Sequence, residues 1–217
     1  MIKAVIFDLD GLILDTEKLL VKFWCQAANE AGFPMQMEHA LHIRSLGRKF
    51  AIPYLNEIFG PEFDYMKIRS RRMELMAEHI REHGLEKKPG LEELLSYLQK
   101  NRIPAAVATA TDRIRAEGYL QQTGLLHYFS SVICAGMVES GKPQPDIYLF
   151  AASRLGLKPQ ECMALEDSPN GIRAASSAGC VTVMVPDLTE PDNDVLPLIY
   201  ASVESLADVP AIIKQLS

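Results

Sequence analysis

The sequence predicts a doubly wound α/β sheet whose first strand is cut off from the others by an inserted all-helical unit. Short apolar runs alternate with helix-patterned segments, as in a parallel sheet covered on both faces. The first run ends at Phe7 and the next starts at Ile103, about 95 residues later, which is several times an ordinary crossover. The stretch between them has helical spacing.

Taken in order, strands are expected over 2–7, 103–108, 131–134, 162–165, 181–185 and 199–203. Helices are expected over 91–100, 113–122, 145–155, 170–178 and 207–216. Within the insert, 16–31 reads as an amphipathic helix with Thr16 as N-cap and Gly32 as its stop, and Phe23, Trp24, Ala27 and Ala31 fall on one face. Further helices are expected over 37–43, over 52–58 with Pro53 in the first turn, and over 64–83. The expected division is a catalytic core of 1–15 and 86–217 and a helical cap of 16–85, with hinges near 14–16 and 85–89.

Composition narrows the class. The chain has 217 residues, 48% hydrophobic and 23% charged, which is ordinary globular make-up and excludes a disordered or fibrous reading. Its net charge of −6 and the lack of a dense Lys/Arg block argue against a nucleic-acid partner. No run of about 18 apolar residues occurs, so no membrane partner is expected. The start lacks a secretory pattern. Cys25, Cys134, Cys162 and Cys180 have no CxxC spacing and read as free thiols of a cytoplasmic protein.

The chemistry sits just past the strands. Asp8 and Asp10 follow the first strand directly, with Gly11 next, at the carboxyl edge where open α/β sheets bind ligands. Two carboxylates this close repel unless a cation or a shared proton intervenes, so they ask for a divalent metal or a split of pKa values. A hydroxyl-rich turn, Thr109-Ala110-Thr111-Asp112, follows the second strand and opens a helix, which suits an anion. Lys142 lies in Gly141-Lys142-Pro143-Gln144-Pro145-Asp146, where restricted proline φ fixes its direction. Glu166-Asp167-Ser168 adds a second acidic pair past the fourth strand, and oxygen clusters of this kind suit Mg²⁺.

The order DLDG (8–11), VATAT (107–111), GKPQPD (141–146) and ALEDS (164–168), with a helical insert between the first two, resembles the haloacid dehalogenase superfamily of phosphohydrolases. Cap size and placement are similar to the branch of β-phosphoglucomutase and many sugar-phosphate phosphatases. The resemblance implies Asp8 as nucleophile forming an aspartyl-phosphate, Asp10 as general acid and base, Thr109 binding the phosphoryl group and Lys142 neutralising it. It also implies Mg²⁺ held by Asp167 and Glu166 beside Asp8 and the backbone carbonyl of Asp10. Gly11, Ala110 and Thr111, with Gly47, Arg48, Lys49 and Arg71 of the cap, are expected to face a small phosphorylated metabolite.

The second aspartate is characteristic of the phosphotransfer members rather than the dehalogenases. The mutases carry a histidine shortly after the Asp-Thr hinge, whereas this chain reads Asp15-Thr16-Glu17-Lys18-Leu19-Leu20. A phosphatase is therefore expected, with a phosphosugar mutase as the alternative. A phospho-accepting signalling module stands behind both, because its phosphorylated aspartate lies mid-chain and it lacks such an insert. The five histidines show no ligand pattern, Phe23 and Trp24 read as packing residues, and a monomer is expected.

Overall fold

The computed structural model describes residues 1–216. Among these, six parallel strands form one sheet: β1 (Ala4–Phe7), β2 (Ala105–Thr109), β3 (Ser131–Cys134), β4 (Cys162–Glu166), β5 (Val181–Met184) and β6 (Ala201–Ser202). Their order is β3-β2-β1-β4-β5-β6. β1 is therefore central, and the chain winds outward first through β2 and β3 and then through β4 to β6. The reversal falls at β1, so the carboxyl ends of β1, β2 and β4 open onto one crevice.

Alternation along β1 divides the core into two layers. Val5 and Phe7 pack with Leu91, Leu94, Leu95 and Leu98 of α5 (Leu91–Lys100) and with Ile213 of α9 (Val209–Gln215). The spacing i, i+3, i+4, i+7 puts those four leucines on one stripe. Ala4 and Ile6 face the other way, toward Tyr148 and Ala151 of α7 (Asp146–Arg154) and Ala174 and Ala175 of α8 (Pro169–Ala178). Alanines on that side let both helices approach the sheet closely. α6 (Arg113–Gln122) completes the first layer through Ala116 and Leu120.

Between β1 and α5 lie α1 (Glu17–Glu30), α2 (Met37–His42), α3 (Arg48–Phe59) and α4 (Tyr65–His83), which have a hydrophobic cluster of their own. In it Val21, Trp24, Ala27 and Ala28 of α1 pack with Ile68, Leu75, Met76 and Ile80 of α4. Two chain crossings connect this helical unit to the sheet, and they run side by side. Asp15 N–H donates to the Glu86 carbonyl at 2.9 Å and Lys88 N–H to the Ile13 carbonyl at 3.0 Å, forming a short antiparallel strap.

Several boundaries differ from the sequence reading. α3 starts at Arg48 rather than 52, which leaves Pro53 inside the helix. Thr16 occupies the N-cap position of α1, but its hydroxyl makes no cap bond because it is engaged by Asp10. β1 starts at Ala4, β2 runs on to include Thr109, and β6 shrinks to two residues at the sheet edge. The four cysteines are free, and no helix of the described residues is long and apolar enough to cross a membrane.

Candidate active site

Backbone ladders aim the reactive side chains. Asp8 N–H donates to the Leu165 carbonyl at 3.0 Å, which extends the pairing of β1 with β4 by one residue and fixes the Asp8 side chain at the crevice. The chain then turns at Gly11 (φ +85°), whose N–H donates to the Leu14 carbonyl at 2.8 Å. A Cβ there would sit 2.4 Å from Asp167 Oδ2, so both the backbone conformation and the close approach require glycine.

Lys142, 1% exposed, reaches from the loop after β3 and donates to Asp8 Oδ1 at 2.5 Å and to Glu166 Oε1 at 2.6 Å. Tyr148 Oη donates to the same Glu166 oxygen, and Ser168 Oγ to Glu166 Oε2 at 3.3 Å. Burial lowers the Lys142 pKa, but the Asp8 and Glu166 carboxylates more than offset this, so it stays a cation. Asp10 is pinned by two hydroxyls, with Thr16 Oγ1 donating to Oδ1 at 2.6 Å and Thr111 Oγ1 to Oδ2 at 2.7 Å. Thr109 ends β2, and its Oγ1 accepts from Thr111 N–H at 3.0 Å.

The buried charges do not cancel. Asp8, Asp10, Glu17, Glu166 and Asp167 are five buried acids around the crevice, against three buried cations there, Lys142, Arg44 and Arg72. Burial raises the Asp8 carboxyl to about 7 against the pull of Lys142, with Glu166 and Asp10 adding to the rise. Burial likewise raises Asp167 well above the carboxylate range despite Arg44, whose Nη1 is 3.6 Å from Asp167 Oδ2. Glu17 is raised too, by burial and then by Asp167.

A cation fits this arrangement. One ligand atom each from Asp8, Glu166 and Asp167 lie within 4.8 Å of one another, and both Asp167 carboxylate oxygens are buried without a hydrogen-bond partner. Unpaired buried oxygens on hard carboxylate ligands suit Mg²⁺. Glycine at 171 serves the same cluster, since a Cβ there would fall 2.0 Å from the Glu166 carboxylate. Gly171→Ala should therefore push Glu166 off Lys142, costing about 1–3 kcal/mol of stability. Chemical denaturation checks this, and a wild-type midpoint would contradict the close packing.

A cleft of about 640 Å³, counting the solvent at its mouth, holds Asp8, Asp10, Thr109, Ala110 and Thr111 on the sheet side. Other expected site residues are placed differently. Thr111, though it lines the cleft, gives its hydroxyl to Asp10 and its N–H to Thr109 Oγ1. Gly11 lines neither this cleft nor its neighbour, and its N–H is taken by the Leu14 carbonyl. Gly47 donates its N–H to the Lys142 carbonyl at 2.8 Å, so it docks the helical unit onto the core loop. Arg48 borders a neighbouring cavity, and Lys49 is exposed and lines neither. Arg71 is a correction: it points outward to Glu30 (2.7 Å) and Glu74 (3.2 Å), away from the cleft.

Sequence reasoning missed the groups that replace these. Arg69 and Arg72 of α4 and Arg115 of α6 line the cleft, and Trp24, read as packing alone, lines it as well as being buried. Arg69 and Arg72 stand three residues apart on one helical face, so the spacing was visible, but which face turns inward was not. Arg44, 1% exposed at its side chain, donates to the Asp167 carbonyl (3.2 Å) and to Thr189 Oγ1 (2.5 Å), tying the helical unit to the wall that carries the acidic cluster.

Comparison with known proteins agrees with this geometry. The family model of haloacid dehalogenase-like hydrolases matches residues 2–179. The phosphorylated carbohydrates phosphatase of Thermotoga maritima is 32% identical over 177 residues, covering 82% of each chain. The β-phosphoglucomutase of Bacillus subtilis is 29% identical over 191 residues, with 84% of this chain and 83% of that one covered. The crystal structure of a β-phosphoglucomutase from Clostridium difficile superposes with a TM-score of 0.84 at 25% identity, covering 100% of this chain and 96% of that one. The chain belongs to the haloacid dehalogenase-like hydrolase family and is a phosphoric monoester hydrolase.

Proposed function

We propose that the protein is a Mg²⁺-dependent phosphatase of a small phosphorylated metabolite, a sugar phosphate or similar monoester, working through an aspartyl-phosphate on Asp8. The observation that carries this reading is the placement of Asp8 and Asp10 in one cleft with different partners. Asp8 is held by an ammonium, whereas Asp10 is held by two neutral hydroxyls. That difference assigns two roles to two carboxylates.

Lys142 takes Asp8 Oδ1 and leaves Oδ2, which accepts no hydrogen bond among the described residues, to attack phosphorus. Asp8, Glu166 and Asp167, with the Asp10 carbonyl, would hold Mg²⁺, which would supply positive charge to screen the nucleophile and the phosphoryl group. Thr109, at the end of β2, binds the phosphoryl oxygens, and the Lys142 ammonium neutralises charge that builds there. Asp10 protonates the leaving alkoxide as its bond to phosphorus breaks. The same carboxylate, again ionised, then takes a proton from the water that attacks the aspartyl-phosphate, releasing phosphate and restoring Asp8. Helices 16–85 act as the cap that covers this chemistry, with the 13–15 and 86–88 strap as its hinge.

Phosphatase is favoured over mutase by the hinge side of the cleft. Leu20 and Val21 line it there in place of the histidine that the mutases carry, and the neighbouring Glu17 carboxylate is paired with Arg44 at 3.8 Å. Supplying β-glucose 1-phosphate with a catalytic amount of the 1,6-bisphosphate tests the choice. The expected result is free phosphate, released also from other monoesters, with no isomerisation. Glucose 6-phosphate in large excess over phosphate would reverse it.

A further inference from the structure

The phosphatase reading accounts for the sheet side of the cleft, and the opposite wall holds a group it does not use. Arg72 is 6% exposed and lines the cleft, its guanidinium carbon 5.0 Å over the Trp24 ring. Its Nε is buried without a hydrogen-bond partner, and among the described residues it forms no ion pair. Arg69 and Arg115 line the same cleft. They share a single carboxylate, Asp112, at 3.5 Å and 2.7 Å. Among the described residues, Asp112, itself partly exposed, is thus the one carboxylate in ion-pair contact with these three guanidiniums, and Asp10 acts on Arg72 from farther off.

Burying an unpaired guanidinium is costly, and its like-charged neighbours increase the cost. Burial, followed by Arg115 and Arg69, lowers the Arg72 pKa to about 10, which still leaves it charged at neutral pH. On the phosphatase reading the scissile phosphate is bound on the sheet side, where Lys142 and the cation would meet its charge. Arg72 therefore lacks an anionic partner of its own on the cap side. The planar fork of each guanidinium matches a carboxylate or a phosphate, and Trp24 fixes the Arg72 fork without consuming its donors.

Resting on the phosphatase reading, we infer that the physiological substrate carries a second anionic group, a carboxylate or a second phosphate, seated on Arg69, Arg72 and Arg115. A free-hydroxyl tail would leave Arg72 unpaired, with Arg69 and Arg115 sharing Asp112, whereas an anionic tail satisfies all three. Substrate class is then set by the cap-side arginines, and the core motifs set only the reaction.

The test uses the intact enzyme with Mg²⁺ and three kinds of monoester: a neutral-tailed hexose phosphate, the carboxylate-tailed 6-phosphogluconate, and fructose 1,6-bisphosphate. At least one anionic-tailed compound should exceed the neutral one about tenfold or more in kcat/KM. Arg72→Gln and Arg69→Gln should each shrink that ratio, chiefly through KM on the anionic-tailed arm. Arg69 is partly exposed, so its variant keeps the test valid if loss of Arg72 disturbs the Trp24 packing. Equal or better turnover of the neutral-tailed ester would overturn the inference, as would a ratio that survives both substitutions. Calorimetric binding of the same three compounds to Asp8→Asn separates the two readings. Preferential binding of an anionic tail, abolished by Arg72→Gln, sustains the inference even if no ester is hydrolysed, and hydrolysis without such preference sustains only the phosphatase.

Discussion

Asp8→Asn is expected to lower turnover by roughly 10⁴-fold or more, the scale seen when a member of a catalytic constellation is removed. The substitution keeps shape and removes the ionised oxygen that, on the proposed mechanism, attacks phosphorus. Stability should survive. Asp8 is an acid whose folded-state pKa is raised, from 3.8 to about 7, so ionising it opposes folding as pH rises through that window. At pH 7.5 an amide that still accepts a hydrogen bond from Lys142 removes this penalty, and the melting temperature should equal or exceed that of the wild type measured without metal. Phosphate release and thermal melting check the two halves. Turnover within tenfold of wild type would remove Asp8 from the nucleophile role, and a collapsed melting transition would make it structural.

Removing Mg²⁺ should stop activity and restoring it should bring activity back, because without the ion Asp8, Glu166 and Asp167 crowd buried charge that Lys142 and Arg44 only partly offset. The same imbalance gives the stabilisation by the ion a pH dependence with a definite sign. The three shifted acids buried around the crevice, Asp8, Glu17 and Asp167, are all raised. The metal-free protein therefore loses stability as pH climbs from about 4 toward about 7 and beyond, where the unfolded chain has released protons that the fold retains. Metal binding needs those carboxylates ionised. Mg²⁺ should thus raise the melting temperature more at pH 7.5 than at pH 5. An equal increment at both values, or full activity after exhaustive chelation, would contradict a cation bound at this cluster.

The core half of the site was legible because the chemistry follows strands, and strands in a doubly wound sheet end at one edge. Asp8, Thr109, Lys142 and Glu166 each lie at or just past an apolar run, so chain order alone brought them toward one crevice. The cap half was not legible, for a geometric reason. Arg69, Arg71 and Arg72 stand within four positions of α4, and only the rotation of that helix, set by Ile68, Leu75 and Met76 packing on α1, decides which of them face the cleft. No local pattern encodes that rotation. Thr16 shows the same limit at smaller scale, since it sits where a helix cap belongs and its hydroxyl is claimed by Asp10, a partner the turn at Gly11 brings near.

The reaction itself is tested most directly by trapping the aspartyl-phosphate. Asp10→Asn should slow the water attack that destroys it, and an aryl phosphate with a good leaving group makes its formation independent of Asp10 as an acid. Acid-quenched Asp10→Asn protein should then carry one phosphoryl group, labile to hydroxylamine, on the peptide that contains Asp8. The Asp8→Asn protein under the same conditions should carry none. A phosphoryl group on another residue, or its absence from both proteins while phosphate is still released, would contradict covalent catalysis by Asp8.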